Sequence, residues 1–215
     1  MKRILTLGLV AAIGLAAAAL YGMRALEGNV EAENSCAASA DFGRTALAGL
    51  ATGEIAAFQL PREAQDLSGL GFLDDAGNEK TLGDFSERVA LVNLWATWCA
   101  PCRREMPALD RLQADLGTDG NFQVVPVNID TGPADKAQAF LDSIEVKNLP
   151  LYRDPTTDIF QEVKKRGFGI GLPVSILVDG NGCQLGHLAG PAEWDSDDAK
   201  ALIRKAVAHQ KDDDR

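Results

Sequence analysis

The sequence predicts an α/β domain in which a parallel pair of strands, joined by crossover helices, continues into an antiparallel edge. The run Val89–Trp95 is almost wholly apolar, as expected for a strand that is covered on both faces. The following segment, Pro101–Leu116, carries apolar residues at three- and four-residue steps, which indicates a helix. The apolar run Val174–Val178 leads into Asp179–Gly182, whose composition is typical of a hairpin turn. The order of these elements indicates crossover connections followed by an antiparallel edge.

The other elements follow from the same two periodicities and from turn residues between them. The predicted strands are Leu70–Leu73, Phe122–Asp130 and Cys183–Leu188, with a short extended piece at Leu149–Tyr152. The predicted helices are Pro133–Ile144, Thr156–Arg166 and Asp195–His209.

The N-terminus carries a pattern that is typical of a membrane anchor. Lys2 and Arg3 precede an uncharged, largely apolar run, Ile4–Met23, which Arg24 closes. A helix of about 20 such residues can cross a bilayer, and the leading positive charges keep the N-terminus in the cytoplasm. We therefore expect residues 1–24 to be a single transmembrane anchor in the bacterial inner membrane, with the rest of the chain in the periplasm. A cleaved signal peptide remains the alternative, because small residues at Ala16–Ala19 could supply a cleavage site.

Composition divides the remainder into a tether and a domain. Residues 25–57 are rich in Glu, Ala, Asn and Ser and are expected to be a periplasmic tether, which could include a short helix lying against the domain. Residues 58–211 are expected to form the globular domain. The formal charge of the chain is −10, so nucleic acid is not an expected partner. Export would also allow cysteines to remain oxidised.

Two cysteines, Cys99 and Cys102, lie where the central strand passes into the helix. Their spacing allows a disulfide to form without movement of the backbone. At a helix N-terminus the unpaired N–H groups and the helix dipole favour a thiolate. Cys99 is therefore expected to be the exposed, reactive sulfur and Cys102 the shielded sulfur that acts second, with Pro101 fitting the first helical turn.

A zinc site is the alternative interpretation of this spacing. It would need two further ligands, usually a second cysteine pair or closely spaced histidines. The candidates, Cys36, Cys183, His187 and His209, are isolated from one another in the sequence. The sequence therefore favours a redox pair that needs neither a metal nor a cofactor.

The motif Trp95-Ala96-x-Trp98-Cys99-x-Pro101-Cys102 resembles the active site of the thioredoxin superfamily. The resemblance extends from about Leu70 to the closing helix. Arg103–Pro107, the helix inserted before the hairpin and the N-terminal anchor make the chain similar to the membrane-anchored TlpA/ResA branch. This resemblance implies a thioredoxin-like fold with a central helical insertion. It also implies that Trp98 lies beside the sulfurs on a docking surface and that Pro173 forms a cis-proline loop.

The chain departs from ordinary thioredoxins at one position. That family keeps a buried Asp six residues before the first cysteine, where this chain has Asn93. Glu105, three residues after Cys102, is the candidate replacement, since a Glu occupies this position in ResA-type proteins. The alternative is that Glu105 is a solvated residue on the helix surface.

The resemblance also implies a second, structural disulfide between Cys36 and Cys183. Their separation from the active pair and their expected export agree with this pairing. The disulfide would attach the tether to the edge of the hairpin.

The function implied by the resemblance is reduction of disulfides in periplasmic proteins. Within this branch, the resemblance to the TlpA type implies a role in the assembly of an aa3-type cytochrome oxidase. The expected partners are then a Sco-type copper chaperone or the copper-bearing oxidase subunit, with a membrane thiol reductant supplying electrons. One alternative is a cytochrome c maturation thioredoxin that reduces apocytochrome c. Another is a copper-binding carrier, although Sco-type carriers separate their cysteines by three residues and add a dedicated histidine.

Overall fold

A computed structural model describes residues 36–63 and 65–213. Its helices are α1 Ala37–Phe42, α2 Ala100–Leu116, α3 Ala134–Ser143, α4 Asp158–Lys165 and α5 Asp197–Asp213. Its strands are β1 Gly71–Leu73, β2 Glu79–Thr81, β3 Val89–Trp95, β4 Phe122–Asn128, β5 Tyr152–Arg153, β6 Val174–Val178 and β7 Gln184–Ala189. Within this part of the chain no helix is both long and apolar enough to cross a membrane. The expected anchor, residues 1–24, lies outside the described residues.

The seven strands form one mixed sheet in the order β2-β1-β5-β4-β3-β6-β7. Strand β3 lies near the centre, pairs in parallel with β4 and antiparallel with β6, and all seven of its residues are buried. The predicted parallel pair and the predicted antiparallel edge are therefore both present. The helical insertion lies between β4 and β6, where the chain forms α3, β5 and α4.

Strand β4 contains a proline, Pro126, although prolines are normally excluded from the interior of a sheet. The N–H of Ile129 donates to the carbonyl of Trp95 on the β3 side, and the N–H of Asp154 donates to the carbonyl of Asn128 on the other side. Because backbone groups alternate between the two sides of a strand, Pro126 faces the β5 side. Strand β5 pairs only with Val127 and Asn128, so the missing N–H of Pro126 removes no ladder hydrogen bond.

The hairpin between β6 and β7 forms as its turn residues predict. The side chain of Asp179 accepts hydrogen bonds from the N–H groups of Asn181 and Cys183, both at 2.9 Å. Gly182 has a φ of 83°, which a residue without a Cβ adopts at no steric cost. The sequence Asp-Gly-Asn-Gly thus fixes this edge of the sheet locally.

Two parts of the fold go beyond the predicted elements. Strand β2, Glu79–Thr81, was not among the predicted strands, and it pairs antiparallel with β1. Residues 36–57, in the segment expected to be a tether that could include a short helix against the domain, form α1 and three further short helical turns. They bury Leu47 and Ile55 completely against the core. Small and apolar residues in this segment pack on α5 and β7, so the packed body extends back to Cys36.

Candidate active site

The two cysteines lie at the junction of β3 and α2, and they are joined in a disulfide with a Cα–Cα distance of 5.3 Å. Cys99 is the N-cap residue of α2, and its sulfur accepts a hydrogen bond from the backbone N–H of Cys102 at 3.2 Å. Pro101 occupies the first turn of the helix, where its missing N–H has no partner to lose. The N–H of Cys102 is also placed to stabilise a thiolate on Cys99 once the disulfide is reduced.

Cys99 is the more accessible of the two cysteines, as expected, but the difference is small. In the disulfide Cys99 is 5% exposed and Cys102 is fully buried. The expectation of an openly exposed sulfur therefore does not hold for the oxidised protein, in which Cys99 belongs to the hydrophobic core cluster.

Two large apolar side chains project into solvent. Trp98 lies next to Cys99 at this junction, and Ile170 lies in the glycine-rich loop that follows α4. Trp98 is 66% exposed, whereas Trp95, three residues earlier, is fully buried and packs on the ring of Phe140. Ile170 is 92% exposed. The same loop ends at Pro173, which follows a cis peptide bond from Leu172.

Glu105 is buried rather than solvated. Its side chain lies one helical turn beyond Cys102, and the residue is only 2% exposed. The side-chain amide of Asn93 donates to Oε1 at 2.8 Å, and the backbone N–H of Ala192 donates to Oε2 at 3.2 Å. The interpretation of Glu105 as a solvated surface residue is therefore wrong.

Burial raises the pKa of Glu105 from 4.5 to about 7, because a carboxylate loses its hydration when it leaves water. This rise is opposed by three neutral donors: the side-chain amide of Asn93, the backbone N–H of Ala192 and the indole of Trp194. The indole is the weakest case, since its N–H makes no hydrogen bond within ordinary geometric limits. The negative charge of Glu193 raises the pKa further. Glu105 can consequently take up or release a proton near neutral pH, which a solvent-exposed Glu cannot do.

Cys36 and Cys183 form a second disulfide, with a Cα–Cα distance of 5.3 Å and a sequence separation of 147. Both residues are about 1% exposed. This bond joins the residue before α1 to the residue before β7. Nearby, the hydroxyl of Ser39 donates to the carboxylate of Asp179 in the hairpin turn, so the N-terminal segment is held to this edge of the sheet by both links.

One of the other residues considered for metal binding is a histidine on β7. His187 is half-buried on β7, its ring lies 5.1 Å from that of Phe168, and burial lowers its pKa. Its Nδ1 lies 3.2 Å from the side-chain amide of Gln184. Across the described ranges, no group of three or more His, Cys, Asp or Glu residues is placed to hold a metal ion.

Sequence reasoning missed two contributors to this site and one exposed apolar side chain. Ile170, which is 92% exposed, was noticed only as part of a glycine-rich stretch. Ser175, which accepts from the amide of Asn93 at 2.9 Å, and the N–H of Ala192 come from segments far along the chain. The sequence carries no local signal for these two contacts.

The fold and the paired cysteines together define a thioredoxin-like oxidoreductase site, and comparison with known proteins assigns the family. A family model described as Redoxin matches residues 57–203. The chain belongs to this family.

Relatives of known description agree with this assignment. Thiol:disulfide interchange protein HelX of Rhodobacter capsulatus is 36% identical over 109 residues, which cover 50% of this chain and 56% of HelX. Thioredoxin of Mycolicibacterium smegmatis is 30% identical over 91 residues, which cover 42% of this chain and 78% of that protein. A crystal structure from Chlorobium tepidum, described as thiol:disulfide interchange protein DsbE, has a TM-score of 0.57 and 27% identity, covering 67% of this chain and 96% of that one.

The chain spans about half the length of HelX and of the thioredoxin-like protein YneN of Bacillus subtilis. The residues that match the family model include both Cys99 and Cys102. These matches establish the family and the mixed α/β thioredoxin-like fold.

Proposed function

We propose that this chain is a thiol–disulfide oxidoreductase that reduces disulfide bonds in partner proteins outside the cytoplasmic membrane. The observation that carries the proposal is the Cys99–Cys102 pair at the N-terminus of α2, with a buried acid, Glu105, one turn further along the same helix. The structure therefore combines a sulfur positioned for activation, a second sulfur within bonding distance and a group that can hold a proton.

The reaction transfers two electrons from the cysteine pair to the partner. The Cys99 thiolate attacks one sulfur of the partner disulfide, forms a mixed disulfide and releases the other partner sulfur as a thiolate. Cys102 then attacks Sγ of Cys99, which forms the Cys99–Cys102 disulfide and releases the second partner sulfur. The partner gains two electrons and takes up two protons, and the protein ends in the oxidised form that the structure describes.

Glu105 serves this cycle as the acceptor of the Cys102 thiol proton. Cys102 is fully buried, so its thiolate is costly to form unless a nearby group removes the proton as the sulfur attacks. A carboxyl group with a pKa of about 7 is suited to this transfer at neutral pH.

For the partner and the location, we propose what the sequence resemblance implies. The chain is held in the inner membrane by residues 1–24, and its domain acts in the periplasm. In the TlpA-like assignment its partner is a Sco-type copper chaperone or the copper-bearing subunit of an aa3-type oxidase. Cysteines at a copper site must be reduced before they can bind the metal, because a disulfide offers no thiolate ligand. A membrane thiol reductant returns electrons to the Cys99–Cys102 disulfide.

The first experiment measures reduction of a disulfide-bonded peptide by the reduced chain. We expect Cys99→Ser to abolish reduction and Cys102→Ser to accumulate the mixed disulfide, because the second attack is missing. Ser39→Ala, a buried serine on α1 outside this site, serves as the folded control. Reduction that persists in Cys99→Ser would contradict the proposed function.

A second experiment distinguishes the partners. Reduced chain is equilibrated separately with an oxidised copper-site protein and with oxidised apocytochrome c, and the redox states are quantified by thiol alkylation. Electron flow to the copper-site protein supports the oxidase assignment, and reduction of apocytochrome c alone supports the cytochrome c alternative. Flow from the partner into Cys99–Cys102 would identify an oxidant and refute the proposed direction. Titration of the reduced chain with Cu(I) tests the carrier alternative.

A further inference from the structure

A buried polar cluster joins Glu105 to the paired strands β3 and β6. Asn93 on β3 and Ser175 on β6 are cross-strand partners in the antiparallel ladder, and both are fully buried. The side-chain nitrogen of Asn93 donates to Oε1 of Glu105 at 2.8 Å and to Oγ of Ser175 at 2.9 Å. Both amide protons of Asn93 are therefore used.

The other end of the Asn93 amide is unpartnered. Its Oδ1 is buried and has no hydrogen-bond donor. The orientation of the amide is consequently fixed from the nitrogen side alone, by two acceptors. Without Ser175, the bond from the amide to Glu105 can still form, but the amide can also rotate so that Oδ1 faces the carboxylate, which is repulsive and weakens that bond on average.

From this geometry we propose that Asn93 is a positioning residue for Glu105 and that Ser175 locks Asn93 in the donating orientation. Together they determine the pH at which Glu105 exchanges its proton during thiol–disulfide exchange. This inference rests on the proposed function and assigns roles to two residues that have none in the cycle described above.

The groups around Glu105 make this donor important. From β3 it meets the neutral amide of Asn93, and the residue behind that amide on β6 is the neutral Ser175. From the segment after β7, Glu193 adds a like charge that disfavours the carboxylate. On its own helix, Cys99 and Cys102 titrate only after their disulfide is reduced. Hydrogen bonds from neutral donors, rather than a cation, are therefore what stabilise the ionised form.

The direction of the effect follows from which protonation state the donor favours. Asn93 stabilises the carboxylate, so its loss raises the pH at which Glu105 ionises. Loss of one hydrogen bond to a charged acceptor is enough to move this midpoint upward by about 1 to 2 pH units. Loss of Ser175 leaves the direct bond in place, so its effect has the same direction and is smaller.

The test uses Asn93→Leu, which is close to isosteric but cannot donate, and Ser175→Ala. Ser39→Ala is the matched control, because it removes another buried serine hydroxyl that does not contact Glu105. Two quantities are measured over the pH range: the rate of peptide disulfide reduction, and the NMR titration of the Glu105 carboxyl carbon in the oxidised chain. The NMR titration requires no activity, and the disulfide prevents the active cysteines from titrating.

We expect both midpoints to rise in Asn93→Leu, to rise less in Ser175→Ala and to remain unchanged in Ser39→Ala. A rate that falls equally at every pH in both variants, with the Glu105 titration unmoved, would overturn the inference and leave Asn93 and Ser175 with a structural role. If Asn93→Leu does not fold, Ser175→Ala decides by the same criteria. A wild-type chain that reduces no disulfide would refute the proposed function, while the titration would still decide the role of Asn93.

Discussion

The substitution Glu105→Gln should change the pH dependence of stability in a direction that the burial of this side chain determines. Gln has nearly the same shape as Glu but does not ionise. In the folded chain, Glu105 has a pKa of about 7, against 4.5 for a solvated Glu. Between these values the folded protein retains a proton that the unfolded chain has released.

The magnitude follows from this difference. Stability falls with rising pH wherever the folded state binds more protons than the unfolded state. The wild-type chain should therefore lose stability as pH rises from about 4.5 to about 7, by about 3 kcal/mol in total at 1.36 kcal/mol per pH unit. Glu105→Gln lacks this loss, so its stability relative to wild type should increase by about 3 kcal/mol between pH 4 and pH 8.

The assay is urea unfolding of the oxidised chain at both pH values. The intact disulfides prevent cysteine titration, and other titrating groups cancel in the difference between variant and wild type. Glu79→Gln is the control, because it makes the same chemical change at an exposed position on β2. If the stability difference for Glu105→Gln is equal at pH 4 and pH 8, the argument from burial is refuted.

Three further predictions concern other parts of the chain. Replacing both Cys36 and Cys183 by Ser should lower the free energy of unfolding by up to about 5 kcal/mol, because it opens a long loop. Disulfide exchange at the active pair should continue in this variant. Because both disulfides are present in the oxidised wild type, free-thiol counting after denaturation should find no free thiol. Trp98→Ala should change stability by less than about 0.5 kcal/mol, because the side chain is 66% exposed, yet slow reduction of protein partners more than that of short peptides. Gly182→Ala should lower the melting temperature, because φ is 83° and an added Cβ would lie 2.6 Å from the Cβ of Ser68; an unchanged melting temperature would contradict that account.

The sequence by itself determined the features that depend on neighbouring residues. The apolar run Val89–Trp95, the cysteines that follow it and the periodic helix beyond them predicted the redox junction. Asp179–Gly182 predicted the hairpin through turn chemistry. These signals are local, because strand periodicity, helix capping and turn geometry each operate within a few residues. Sequence patterns missed β2, whose three residues are too short to show a period. The weak amphipathic run in the expected tether allowed a short helix against the domain, but it did not show how far residues 36–57 pack on the core.

Only the tertiary structure decided the environment of Glu105. A Glu on a helix is usually solvated, and nothing within its own turn of α2 predicts otherwise. Its burial depends on Asn93, which lies 12 residues away, and on Ala192, which lies 87 residues away. Ser175, which holds the amide of Asn93, is 82 residues from it. Contacts at such separations arise when strands and loops assemble, so the pKa of this acid is a property of the folded sheet that no local pattern encodes.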